Sequence, residues 1–309
     1  MRIAVIDLGT NTFNLSIAEI KPQGFKIIHD ARIGVKLGKG GINQKTILPD
    51  AQVRAINALL EFKNVIRKKR IHKVKAIATS AVRNAENQKE FKDLVFEKTG
   101  IEIEIIEGSR EAELIYKGVN ASFDLGDEKS LIIDMGGGST EFIIANKNEI
   151  FWKKSFEIGG ARLLEKFLPS DPITEIEADK ISAFINENLK ELKKQIEIFK
   201  PIQMIGATGP WETLTEMILQ EKKEEKTAFD FQVYEILEAK FYQFSKEILA
   251  STKAERTKHP GIINLRVDMI VVAMILINTV WKMSAFQKMF YSAYALKEGV
   301  FFEQIQKTT

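Results

Sequence analysis

The sequence predicts an α/β protein built from two related halves that face each other across a cleft. Three observations lead there. At 309 residues the chain exceeds the size at which one hydrophobic core stops growing, roughly 250–300 residues. Ile6-Asp7-Leu8-Gly9-Thr10-Asn11-Thr12-Phe13-Asn14-Leu15 lines up without gaps on Ile133-Asp134-Met135-Gly136-Gly137-Gly138-Ser139-Thr140-Glu141-Phe142. Around each copy of this echo, short β-rich runs alternate with helical patterns. The offset, 134 − 7 = 127 residues, is too long for a solenoid or propeller period and fits a duplicated domain.

The first half opens with strands over 3–6 and 15–20, joined by the Gly/Thr-rich turn of the echo into a hairpin. A third strand covers 25–30. Val53, Ile56, Leu59, Leu60, Val65 and Ile66 recur at helical spacing, which predicts a helix over 50–70. A strand over 74–79, a helix over 87–99 stopped by Gly100, and a strand over 101–106 follow. The next helix, over 109–119, takes Ser109 as its N-cap. Asp124-Leu125-Gly126-Asp127-Glu128 is a turn-forming connector that divides the chain into domains 1–122 and 123–309. The second half repeats the theme with strands over 131–133, 142–145 and 150–156 and a helix after Gly159-Gly160. One long helix over 174–199 and a strand over 202–205 come next. From Pro210 on the pattern is mostly helical, with Glu221–Lys226 as a charged connector and a break at Pro260-Gly261. The longest apolar run, Met269–Ile277, covers nine residues. A bilayer span needs ~20, so this is a buried helix and no membrane association is expected.

Composition narrows the chemistry. Lys+Arg minus Asp+Glu is 45 − 42 = +3, too weak to argue for nucleic acid but suited to a polyanionic small substrate. The absence of cysteine removes disulfides, thiolate nucleophiles, iron–sulfur clusters and Cys-ligated zinc, and points to a reducing, cytoplasmic setting. With only His29, His72 and His259, a multi-histidine metal site is nearly excluded.

The paired hairpins carry the strongest signal. Small residues at the two turns (Gly9, Thr10, Asn11 and Thr12; Gly136, Gly137, Gly138 and Ser139, leading into Thr140 and Glu141) let backbone N–H groups approach a phosphate. Asp7 and Asp134 stand at strand ends, placed to hold Mg²⁺ directly or through water. Two such hairpins facing each other would grip a phosphate from both sides. Glu107, Glu111 and Glu113 cluster at a helix start; acidic groups there commonly just complement the helix dipole, but one facing the cleft would serve as a general base. Arg83 could fork onto phosphate oxygens. Gly206-Ala207-Thr208-Gly209 follows a strand and resembles a phosphate turn. Gly34–Gly40 is too short for a P-loop, and Gly136-Gly137-Gly138 lacks the dinucleotide spacing.

The duplicated Asp-x-Gly hairpins resemble the phosphate motifs of the actin, hexokinase and Hsp70 superfamily. The likeness narrows to the exopolyphosphatase and guanosine pentaphosphate phosphohydrolase family through further blocks in order. These are Lys36-Leu37-Gly38-Lys39-Gly40, Ala78–Ala85, Glu111-Ala112, Gly159-Gly160-Ala161-Arg162-Leu163, Arg266-Val267-Asp268 and Leu296-Lys297-Glu298-Gly299. The resemblance implies a duplicated actin-like (ribonuclease H-like) ATPase fold, with the last helix, 296–309, packing back on the first half. It implies a phosphoanhydride hydrolase of the stringent response, acting on polyphosphate or guanosine pentaphosphate with Mg²⁺, or Mn²⁺ in its place. Glu111 then matches the water-activating glutamate, Asp134 the metal-linked aspartate, Arg83 the phosphate-facing arginine, and the two turns the phosphate cradle. A homodimer is compatible with it, and the helical C-terminal modules of longer relatives are not expected.

Some positions depart from the family pattern. Glu113 stands where arginine is usual, Asn14 where a basic residue is frequent, Pro210 where threonine is usual, and Lys297 replaces an arginine. Lost positive charge near the cleft would weaken the grip on long polymers. Lys36, Lys39, Arg162, Lys190, Lys193, Lys194 and Lys297 are the candidates to compensate. Two other functions share the hairpins: a small-molecule kinase, which also needs an adenine pocket, and a non-catalytic sensor of alarmones or polyphosphate.

Overall fold

The computed structural model describes residues 1–306. β1 (Arg2–Leu8) and β2 (Thr12–Lys21) form the first hairpin, and β3 (Gly24–Gly34) extends it. There follow α1 (Pro49–Lys68), β4 (Lys73–Ala78), the single turn α2 (Ser80–Arg83), α3 (Gln88–Thr99), β5 (Ile103–Ile105) and α4 (Gly108–Ser122). The second hairpin is β6 (Ser130–Met135) and β7 (Thr140–Ala145), extended by β8 (Ile150–Phe156). After it come α5 (Gly160–Phe167), α6 (Glu175–Asn188), α7 (Lys190–Phe199), β9 (Gln203–Ala207) and α8 (Gly209–Glu221). The chain continues through β10 (Val233–Ile236), α9 (Glu238–Ala250), α10 (Lys253–Lys258), α11 (Ile270–Trp281), β11 (Lys288–Ser292) and α12 (Leu296–Gln306).

The strands make two mixed sheets, ordered β3-β2-β1-β4-β5 and β10-β11-β9-β6-β7-β8. In each, the first strand opens a three-stranded antiparallel meander on one side and pairs with parallel crossover strands on the other, and the second sheet adds β10 as an antiparallel edge strand. The echo in sequence is therefore a repeat of topology. Register carries it to single residues: Asp7 pairs across the ladder with Asn14, and Asp134 with Glu141. Both aspartates thus end a buried strand beside a tight turn.

Several elements differ from their sequence-based expectation. Glu107, not Ser109, is the N-cap of α4, with extended backbone (φ −69°, ψ 152°) and no side-chain cap bond. The predicted helix over 174–199 is broken at Leu189, yet its apolar stripe of Ile181, Ile185, Leu189, Leu192 and Ile196 runs on through the break, every member buried. The largely helical remainder contains β10 and β11, and β11 occupies an inner place in its sheet. Five residues give too short a run for periodicity to separate a buried strand from helix. Of the predicted helix 296–309, residues 307–309 lie outside the described residues.

α12 packs against α4 and also touches β1, β2 and β3. The crossing needs glycine on each helix. A methyl on Gly118 would stand 2.0 Å from the Ala295 carbonyl oxygen, and one on Gly299 would stand 1.9 Å from that of Leu114. Leu114, Ile115 and Val119 of α4 and Val300 and Phe301 of α12 join Ile3 and Val5 of one sheet and Ile132 and Ile143 of the other in one apolar cluster. The two sheets are held together through these helices, and α4 delivers Glu111 to the space between the hairpins.

Candidate active site

The turns of the two hairpins meet. Gly9 N–H bonds the Thr12 carbonyl at 3.1 Å, and Gly136 N–H bonds that of Ser139 at 3.0 Å. A methyl on Gly138 would come within 2.6 Å of both the Ser80 and the Thr10 hydroxyl oxygens, and one on Gly137 within 3.1 Å of Thr10 Cβ. Only glycine allows turns from opposite halves to approach so closely. Among the described residues, the backbone N–H groups of Thr10, Asn11, Gly137 and Gly138 have no acceptor in the protein. These residues line a cavity of about 210 Å³, below the ~300–1,000 Å³ that encloses a drug-sized ligand. It has room for the end of a chain rather than for a whole polymer.

Four acidic residues line that cavity with the turns: Asp7, Glu111, Asp134 and Glu141. Burial pushes Asp7 up to about 6, against a 3.1 Å hydrogen bond donated by Asn14 Nδ2. Burial, then the charges of Glu111 and Asp7, lift Asp134 well above the usual carboxylate range, with the Thr208 hydroxyl pulling the other way. Glu141 is raised to about 7 by burial and by Asp134, although the Ser155 and Ser139 hydroxyls each donate to its Oε1 at 2.7 Å. Glu111 is also driven upward, by burial and by Glu141, and opposed by Arg83, whose Nη1 donates to Glu111 Oε2 at 2.7 Å. A base held above the ordinary carboxylate range is better matched to neutral pH.

Three cations share the wall: Arg32, Arg266 and Lys297. Each is already engaged. Lys297 Nζ lies 2.9 Å from Glu298 and 3.3 Å from Asp30, and Arg266 and Arg32 sit 2.8 and 3.4 Å from Glu212. With Glu298 counted, five carboxyls face three cations, an acid excess unsuited to a polyanion unless a further cation enters. Among the described residues no three acidic or histidine side chains converge into a complete metal cage. Mg²⁺ commonly takes only one or two protein carboxylates and keeps waters and substrate phosphates as its other ligands. Asp134, with Asp7 opposite, fits that mode.

The placement of the other predicted residues is uneven. Gly9, Thr10, Asn11, Thr12, Gly136–Ser139, Thr208 and Gly209 all reach the cavity. Thr208 does so at φ 55°, ψ −154°, a strained conformation for a β-branched residue and of the kind that clusters at functional sites. Three do not reach it. Arg83 lies behind Glu111, bonded also to the Ile106 carbonyl at 3.1 Å, so it orients a carboxylate where a phosphate contact was expected. Thr140 turns its hydroxyl onto the Ile158 carbonyl at 3.2 Å. Gly206 lies beneath the Trp211 ring, which a methyl there would strike at 1.8 Å. Glu141, expected among the phosphate binders, accepts from two serines and belongs with the carboxylates. Glu113 is outside the cavity lining and pairs with Lys153 and Arg110, so it takes no charge from the cleft, whereas Asn14 does line the cavity and holds Asp7 there as a neutral donor. Of the seven compensating cations only Lys297 lines the cavity. Arg32 was missed, since one arginine on an edge strand gives no signal in sequence.

Comparison with known proteins is consistent along most of the chain. The model of the Ppx/GppA phosphatase family matches residues 16–308. A crystal structure of an exopolyphosphatase from Cytophaga hutchinsonii superposes with a TM-score of 0.97 at 40% identity, covering 99% of this chain and 98% of that one. Such family structures have the actin-like two-domain architecture, and the two mixed sheets found here match it. The bifunctional 3-dehydroquinate synthase/phosphatase of Fusobacterium nucleatum is 37% identical over 72% of this chain, which spans 34% of that protein. Exopolyphosphatase 2 of Mycobacterium tuberculosis is 27% identical over 84% of this chain and 85% of its own length.

Proposed function

Since this chain belongs to the Ppx/GppA phosphatase family, we propose that it hydrolyses the terminal phosphoanhydride bond of inorganic polyphosphate or guanosine pentaphosphate. The observation that carries the reading is the pairing of four unclaimed turn amides with four buried carboxyls around one small cavity. The amides of Thr10, Asn11, Gly137 and Gly138 would hold the terminal phosphoryl from both sides, each N–H directed at developing negative charge. Glu111 takes a proton from water as the water oxygen attacks phosphorus. The anhydride P–O bond breaks and its electron pair leaves with the shortened chain. Arg83 keeps Glu111 aimed into the cavity. Asp134 and Asp7 would hold Mg²⁺, which when bound neutralises charge on the phosphate oxygens. Phosphoryl transfer depends on positioning and electrostatics, so a site without histidine is chemically sufficient.

A phosphate-release assay across long polyphosphate, tripolyphosphate, guanosine pentaphosphate and ATP tests this. The expected result is release from at least one of the first three, falling by roughly 10²–10⁴ in Glu111→Gln. Transfer from ATP to an acceptor would indicate a kinase instead. Tight binding of these anions without any turnover would indicate a sensor.

A further inference from the structure

Along one rim of the cavity a second layer of side chains fastens the halves together. Arg162, at the start of α5, uses its whole guanidinium. Nε donates to the Gly138 carbonyl at 3.0 Å, Nη1 to the Ile42 carbonyl at 3.1 Å, and Nη2 to Glu157 at 2.6 Å. The first partner is the turn of the second hairpin. The Ile42 carbonyl belongs to the 36–47 loop of the first half, and that loop is itself bonded to the first hairpin, Lys36 N–H to the Asn11 carbonyl at 2.8 Å and Gly38 N–H to that of Thr10 at 3.1 Å. Glu157 in turn accepts from Ser80 Oγ at 3.2 Å and lies 3.9 Å from Arg83, the arginine that orients Glu111. Neither Arg162 nor Glu157 lines the cavity.

Resting on the hydrolase reading above, we propose that Arg162 and Glu157 are positioning residues. They lock the two phosphate turns and the Arg83–Glu111 pair into one mutual arrangement, and they do so only when the halves are closed. Arg162 reaches both hairpins at once, directly through Gly138 and indirectly through Ile42. Glu157 ties that clamp to the candidate base. A planar fork is required, because three acceptors in three directions exceed what an ammonium can serve from one point. The clamp must also open for substrate to enter, since the Gly138 turn already touches Thr10 and Ser80.

The test is a double-mutant cycle read together with a distance. Arg162→Ala and Glu157→Gln should each lower kcat/KM roughly tenfold, the effect of losing one charge-assisted hydrogen bond. The double variant should lose little more than the worse single one, since the two act as a unit. Millimolar guanidinium should restore part of the activity of Arg162→Ala, and Arg162→Lys should not substitute for the arginine. The chain has no cysteine, so spin labels at Glu61→Cys and Lys194→Cys, both exposed, report the separation of the halves cleanly. Without substrate, that distance distribution should broaden in Arg162→Ala while thermal stability stays within roughly 1 °C of the parent, less than one kcal/mol would shift it. Additive losses with an unchanged distance distribution would overturn the clamp, as would losses that only follow a fall in stability. If the parent protein releases phosphate from no substrate, the hydrolase reading fails while the distance measurement still decides whether the clamp exists.

Discussion

Replacing Glu141 with glutamine should make the protein more stable while disabling it. Glu141 is 2% exposed and faces Asp134 across the hairpin ladder. Its pKa stands at about 7 against an ordinary 4.5. The folded state therefore binds this proton more tightly than the unfolded chain does. Folding takes up a proton between those two values, and stability falls as pH rises through them. At roughly 1.4 kcal/mol per pH unit, the ionised carboxylate costs roughly 3 kcal/mol at pH 8 and under about 1 kcal/mol at pH 5. Glutamine has no proton to lose, and its Oε1 can still accept from the Ser139 and Ser155 hydroxyls. Thermal denaturation in EDTA should show Glu141→Gln melting roughly 4–5 °C above the parent at pH 8 and close to it at pH 5. Phosphate release should fall steeply, a trade of activity for stability common at sites built from strained charge. Equal melting of the two proteins at both pH values would refute the electrostatic account of this cluster.

Three further outcomes follow from the same geometry. Asp134→Ala should raise the Mg²⁺ concentration for half-maximal activity, with Asp7→Ala doing so second; an unmoved titration curve would reassign the ligand. Gly299→Ala drives a methyl into the Leu114 carbonyl and should cost about 1–3 kcal/mol, read as a lower denaturation midpoint with kcat reduced because α4 carries Glu111. Each of the three cations on the cavity wall is already ion-paired, so little cationic grip on a long polymer is expected at the wall. Polyphosphate should be shortened distributively with intermediates visible on gels, and moderate salt should raise KM for long chains only slightly.

How much of this was legible in sequence depends on how local each feature is. The hairpins were, because a tight turn is specified by four or five adjacent residues and the echo repeats them in register. The aspartates followed from those motifs, whereas Glu111 was singled out from Glu107 and Glu113 only by the family resemblance. The Arg83–Glu111 bond was not, since it joins residues 28 apart in sequence through the packing of α4 beside β4 and α2. The same holds for Arg32, which gains meaning only when Glu212 and Arg266, about 180 and 230 residues later in the chain, arrive beside it. β11 was hidden for a different reason: a short strand in the middle of a sheet is apolar on both faces and shows no alternation.

Charge was the least legible property, and it matters most for function. A net charge of +3 suggests mild attraction for polyanions, and the departures at Glu113 and Asn14 suggest that this attraction is reduced at the cleft. Of these, only the departure at Asn14 acts at the cleft once the side chains are placed. Glu113 faces Lys153 and Arg110 outside the cavity, Asn14 serves Asp7, and the cavity itself holds more carboxyls than cations. On the proposed reading, phosphate would be attracted by two sets of turn amides that no sequence tally counts as charge, together with a cation recruited by the raised carboxyls. Each of the four raised carboxyls has a partner in the protein, but burial and the neighbouring carboxylates outweigh it, a balance that a bound divalent ion would shift. Under the proposed hydrolase reading, the site would suit a polyanion that arrives with its own metal, unlike a basic channel that binds phosphate by lysine and arginine alone.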